Sequence, residues 1–126
     1  MVGRFETMAE TEQITVEDKD GVSVVRFTSN KILDEIVVQQ FGEELLHLIE
    51  VEGSKKLVLN FEGVEFLSSA ALGHLIKVDK RAKASEAKMA LCNIRESIYE
   101  VFAITRLDTV FNIKPAQEDA LAEVNA

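Results

Sequence analysis

One passage constrains the fold of this chain more than any other. Lys56-Leu57-Val58-Leu59-Asn60-Phe61 is a short β-prone apolar run, and Phe66-Leu67-Ser68-Ser69 then leads into Leu72, Leu75, Ile76 and Ala82, which recur at helical spacing. The run from Leu57 to Phe61 lacks in-out alternation, the pattern expected of a strand covered by helices on both faces, as parallel strands of α/β domains are. Two serines stand where strand chemistry gives way to helix chemistry. The first amides of a helix have no partners within it, so a serine hydroxyl there is a natural N-cap. A helix N-terminus also tolerates negative charge, so a phosphate placed on such a serine would leave the helix intact. Spacing alone leaves both readings, cap and switch, open.

The remaining elements can be placed around that junction. Residues 13–17 alternate, and Val22 to Phe27 resumes in strand composition. Between them lies Asp20-Gly21, the pair that tight hairpin turns prefer. Beyond a polar connector from Thr28 to Lys31, Asp34 is a candidate helix start, and Ile36, Val37, Phe41, Leu45, Leu48 and Ile49 form one apolar face. Gly53 ends that helix. The serine junction opens a helix from Ser69 to about Ala84, and Lys88 to Asn93 reads as a second interior strand. Ser97, Ile98, Val101, Phe102 and Ile104 indicate a short helix capped by Asn93 or Ser97, Thr109 to Ile113 a last strand, and Pro115 opens a terminal helix or tail. The series predicts a single α/β domain over residues 12–126 with about four helices and a mixed sheet of about four or five strands, preceded by a flexible arm at residues 1–11.

Composition narrows the function. A net charge of −8 disfavours nucleic acid as a partner, since that affinity is built from clustered Lys and Arg. The basic residues Lys77, Lys80, Arg81 and Lys83 fall toward the C-terminal end of their helix, where cations suit the helix dipole. One cysteine, Cys92, allows no internal disulfide and reads as a buried core residue. Apolar runs are far shorter than the roughly 20 residues of a membrane span, and no signal peptide is read, so the expectation is a cytoplasmic protein without membrane insertion.

Catalytic and cofactor chemistry is not indicated. The glycines are isolated, and none forms a nucleotide-binding loop. His47 and His74 lie on different expected helices without metal-ligating company, so no metal or cofactor is expected. His74 follows Ser69 by five residues and so points about 140° around the helix from it, a poor arrangement for a nucleophile and its base. It reads instead as an exposed histidine flanking a binding surface.

The chain from about Ile14 to Ile113 resembles the STAS domains, specifically the anti-sigma-factor antagonists of bacterial phospho-switches. The resemblance is carried by the stretch from Leu57 to Gly73, which is similar to that family's apolar strand and its Asp-Ser-Ser/Thr-Gly-Leu-Gly signature, with support from Leu91-Cys92-Asn93 and the stretch from Val101 to Asp108. Laid on this chain, the family's Asp falls on Ser68, its phospho-accepting Ser on Ser69, the next Ser or Thr on Ala70 and the first Gly on Ala71, while Leu72 and Gly73 match outright. The Ala71 methyl stands where a partner backbone would approach. The resemblance implies a non-enzymatic regulator that binds an anti-sigma factor of the serine-kinase type when Ser69 is unmodified and releases it when Ser69 is phosphorylated, with a phosphatase to reset it. It further implies a monomer or weak dimer and a partner surface over Ser68, Ser69, Ala70, Ala71, Leu72, Gly73 and His74, with Asn30 and Asp34 from the loop before the first helix. Two other readings are a non-phosphorylated STAS scaffold subunit of a transporter or signalling complex, and a small-ligand sensor, for nucleotide or lipid, using the strand-end crevice of the sheet.

Overall fold

The computed structural model describes residues 13–126. The arm expected at residues 1–11 lies outside the described residues. The described residues open with the expected hairpin: β1 (Ile14–Lys19) and β2 (Val22–Phe27) pair antiparallel from Ile14 opposite Phe27 to Lys19 opposite Val22. The turn places both Asp20 (φ 53°) and Gly21 (φ 88°) in the left-handed region, as a two-residue hairpin loop requires.

From β2 onward the helices are separated by one or two strands. The chain runs through β3 (Lys31–Ile32), α1 (Glu35–Glu50), β4 (Lys56–Asn60), β5 (Phe66–Leu67), α2 (Ser69–Ala84), β6 (Lys88–Cys92) and α3 (Glu96–Ile104). A 3-10 turn (Leu107–Thr109), β7 (Asn112–Lys114) and α4 (Gln117–Asn125) complete it. The main sheet has the order β1-β2-β4-β6-β7, parallel from β2 onward. This five-stranded mixed sheet with an antiparallel edge agrees with the expected mixed sheet of about four or five strands.

Side-chain alternation along the central strands sorts the core into two layers of different depth. Leu57, Leu59, Met89 and Leu91 point to the face covered by α1 and α2 and join Phe41, Leu45, Leu72, Leu75 and Val78. Val58, Ala90 and Cys92 point to the other face, where Ala120 and Val124 of α4 cover them. The bulky residues face α1, α2 and the buried Ile98 and Phe102 of α3, and the small ones face a single short helix, so size is matched to the depth of each layer.

Four local expectations are corrected. Lys31, at the end of the polar connector, begins β3, which pairs in parallel with β5 as a separate two-stranded ribbon. The inward face of α1 begins at Val38, with Val37 half-buried and Ile36 67% exposed, because its first turn projects past the core. Neither Asn93 nor Ser97 caps α3; its N-cap is Arg95, without a side-chain bond, while Asn93 takes a left-handed turn (φ 55°) out of β6. The last strand is Asn112–Lys114, and Thr109 ends the preceding 3-10 turn.

Candidate partner-binding surface

The serine junction is assembled by backbone hydrogen bonds from an element that sequence periodicity does not reveal. After β4, Val64 N–H closes a turn on the Phe61 carbonyl (2.9 Å). The Asn30 carbonyl then accepts from both Glu65 N–H (2.7 Å) and Phe66 N–H (3.3 Å). Lys31 pairs with Phe66 and Ile32 with Leu67, and Ser68 N–H donates to the Ile32 carbonyl (3.0 Å). The ribbon thus carries the chain in a fixed direction to the start of α2. Of the predicted site residues, Asn30 contributes through its backbone.

The two serines then divide. Ser68 is extended (φ −78°, ψ 163°), and its hydroxyl accepts from Ala71 N–H at 3.1 Å, which makes it the N-cap of α2. Ser69 is the first helical residue, and it and Ala70 are exposed, as is Gly73 on the next turn. Ala71 is fully buried and Leu72 is 7% exposed, so these two predicted contact residues belong to the core. The Ala71 methyl therefore packs inside and does not stand where a partner backbone would approach.

His74 is half-buried, not an exposed flanking residue. It packs over Gly42 of α1 so closely that a methyl group on Gly42 would lie 2.7 Å from its Nδ1. This close contact lies where the first half of α1 packs against the first half of α2.

Beside this unit stands its parallel counterpart. β3 is followed by Asp34, which caps α1 by accepting from Ile36 N–H (2.8 Å) and Val37 N–H (3.4 Å). Two strand-cap-helix units therefore run side by side, with both helix N-termini at one end of the molecule. Around them Leu33 (51%), Ile36 (67%) and Phe66 (51%) leave large apolar side chains in solvent. Isolated exposed apolar residues are ordinary, but these three lie on the segments that lead into or open the two helix N-termini and make that end a candidate partner-binding rim. Sequence reasoning missed this rim, because a lone apolar residue beside a strand or in a helix reads as core.

Other groups are engaged elsewhere. Among the basic residues of α2, Arg81 pairs with Glu50 and Lys83 with the buried Asp79 (2.9 Å). Cys92 is fully buried, and loss of solvation pushes its thiol up to about 11, with Arg26 lowering and Glu62 raising it to lesser degrees. The carboxyl end of β4 is filled by a polar cluster. Asn60 accepts from Glu62 N–H (2.8 Å) and from Asn93 Nδ2 (3.2 Å), and donates to Gln117 Oε1 (2.8 Å). A cavity of about 280 Å³ lined by Asp79, Lys83, Met89, Val110 and Glu123 lies at the other end of α2 from Ser69. Among the described residues no three His, Cys, Asp or Glu side chains gather as metal ligands, and no helix is long and apolar enough to cross a membrane.

A mixed sheet with β3 and β5 delivering an exposed, uncapping serine to a helix N-terminus defines a domain class, and comparison with known proteins identifies it. The STAS domain profile matches residues 13–120, and the chain belongs to the STAS domain family. A Bordetella bronchiseptica protein, BtrV, provisionally named an anti-sigma factor antagonist, is 23% identical over 110 residues, spanning 87% of this chain and 92% of that protein. The structure of an anti-sigma-factor antagonist (STAS) domain protein from Planctomyces limnophilus superposes with a TM-score of 0.77 at 26% identity, covering 91% of this chain and 99% of that one. The Bacillus cell fate determinant SpoIIAA in its phosphorylated form shares the fold with a TM-score of 0.67 at 20% identity, covering 88% of this chain and 98% of that one.

Proposed function

We propose that this chain is an anti-sigma factor antagonist that works by partner switching. With Ser69 unmodified it binds an anti-sigma factor that is also a serine kinase, through the rim of Leu33, Ile36, Phe66, Ser69 and Gly73. Phosphorylation of Ser69 ends that binding, and a phosphatase restores it. It does so as a cytoplasmic binding protein and not as an enzyme.

The observation that carries this reading is the division of labour at the junction: Ser68 caps α2, so Ser69 is exposed at the first helical position and free of that task. A charge added there is tolerated by the helix, whose N-terminus favours anions, and α2 has no acidic residue in its first turn to repel it. Inside an interface built around a neutral hydroxyl and an apolar rim, the same charge must be desolvated without a partner, which is unfavourable by far more than the local helix effect. The names of BtrV and the Planctomyces protein, and the phosphorylated form of SpoIIAA, support the same reading.

The test is binding to the anti-sigma factor kinase of the same cell by calorimetry, with intact mass read before and after incubation with ATP. Ser69→Asp is expected to weaken the complex at least about tenfold, roughly 1.4 kcal/mol, and Ser69→Ala to bind normally and stay bound in ATP. Undiminished binding by Ser69→Asp, together with no mass gain on the unmutated chain, would overturn the proposal.

A further inference from the structure

The ribbon beneath Ser69 carries one cation in an unusual position. Lys31 pairs across the ribbon with Phe66, and its ammonium lies 5.7 Å from the centroid of the exposed Phe66 ring, a cation–π contact. Among the described residues the Lys31 ammonium pairs with no carboxylate. The carboxylates nearest in the chain to this rim are Asp34, whose oxygen is engaged by the first amides of α1, together with Glu35 and Glu65. Lys31 is thus a positive charge held over apolar partner surface, on a rim whose other charges are negative.

We propose that Lys31 answers the modification of Ser69: in the unmodified chain it lies over Phe66, and with a phosphate on Ser69 it swings along the ribbon to pair with that phosphate, uncovering Phe66. The proposal rests on the phospho-switch reading of Ser69. Ser69 lies three residues beyond Phe66, about 10 Å at strand rise. That gap is bridged from one side by the flexible four-carbon lysine stem and from the other by the phosphoseryl group. The exchange is favourable because an exposed cation–π contact is weak, whereas a hydrogen bond between two charged groups is roughly twice as strong as a neutral one. Phosphorylation would then act on the partner twice, by adding charge at Ser69 and by rearranging the Lys31–Phe66 stack on which the partner packs.

The experiment uses the full chain with phosphoserine installed at position 69 during synthesis, so that it needs no kinase. Phosphorus NMR is followed through the second phosphate ionisation, in the otherwise unmutated chain and in Lys31→Gln. A lysine pairing with the dianion should lower that ionisation by about half a pH unit relative to Lys31→Gln. Lys77→Gln, two turns along α2, should match the unmutated chain. In parallel, the ring-current shift that Phe66 imposes on the Lys31 ε-methylene protons should be present in the unmodified chain and lost in the phosphorylated one. Superimposable titrations of the Lys31→Gln chain and its parent, or a ring-current shift that survives phosphorylation, would overturn the proposal. Failure of the phospho-switch reading shows separately, as equal partner affinity of the phosphorylated and unmodified chains.

Discussion

Gly42 and His74 offer a test in which two well-known effects oppose each other with magnitudes that the structure sets. Replacing a helical glycine by alanine ordinarily stabilises by roughly 0.5–1 kcal/mol, because alanine loses less conformational freedom on folding. At Gly42, however, the new methyl would sit 2.7 Å from His74 Nδ1, 3.3 Å from Cγ and 3.5 Å from Cβ. The obstruction runs down the side chain almost to the α2 backbone, so bending a flexible tip cannot relieve it. Either the ring leaves its rotamer or α1 and α2 move apart, and overpacking of this kind costs about 1–3 kcal/mol. Gly42→Ala should therefore destabilise by about 1 kcal/mol net. In a His74→Ser background, where the ring is gone, the same substitution should stabilise by roughly 0.5 kcal/mol or more. Urea denaturation of the four chains measures the cycle. Gly42→Ala more stable than its parent in both backgrounds would refute the argument, since no contact between the helices would then depend on the absence of that methyl.

The two adjacent serines should separate cleanly in the same assay. Ser68→Ala loses the hydroxyl that caps α2 and should cost about 1 kcal/mol, whereas Ser69→Ala, which removes no capping bond, should leave the urea midpoint nearly unchanged; equal losses would show that the cap is misassigned. Cys92 supplies a pH dependence. Its ionisation is raised from 9.0 to about 11 in the folded chain, so the folded state holds its proton more tightly; the stabilisation is complete below pH 9.0 and is lost as pH rises toward about 11. Between those limits the unfolding free energy of the unmutated chain should fall by about 2 kcal/mol more than that of Cys92→Ala, and parallel curves would contradict the assignment of that proton to Cys92.

The parts of this fold that are legible in the sequence are those in which one periodicity persists for several residues. Asp20-Gly21 between two strand-like runs, the apolar stretch beginning at Leu57, and the helical recurrence of Leu72, Leu75 and Ala82 each carry their own signal, and each lies where its pattern places it. β3 and β5 are two residues long, too short to show any period, and exist because the Asn30 and Ile32 carbonyls find amides on a segment more than 30 positions away. His74 reads as exposed because its burial depends on Gly42, and nothing local to either residue announces the other. The apolar rim is invisible for a different reason. Ile36 has the same chemistry as the core residue Val38, and only the projection of the first turn of α1 past the core distinguishes them.

The arrangement at the junction also explains how Ser68 can stand where the resembled signature has aspartate. What fixes the position of α2 is the ribbon, through the Asn30 and Ile32 carbonyls, and the Asn60 amide, which ties the end of β4 to Glu62, Asn93 and Gln117. None of these bonds uses a side chain at position 68 or 69. The helix itself needs only an oxygen on residue 68 to receive the Ala71 amide, and a hydroxyl at 3.1 Å serves as a carboxylate would. Exchanging that carboxylate for Ser68 therefore leaves the scaffold unchanged and removes a negative charge beside Ser69. A phosphate on Ser69 would then meet the positive end of α2 without an acidic neighbour in its first turn. It follows that Ser68→Asp should preserve stability through the cap while raising the second ionisation of a phosphate on Ser69, because two anions would then compete for one helix terminus; phosphorus NMR of the two phosphorylated chains reads that shift, and coincident titrations would contradict it.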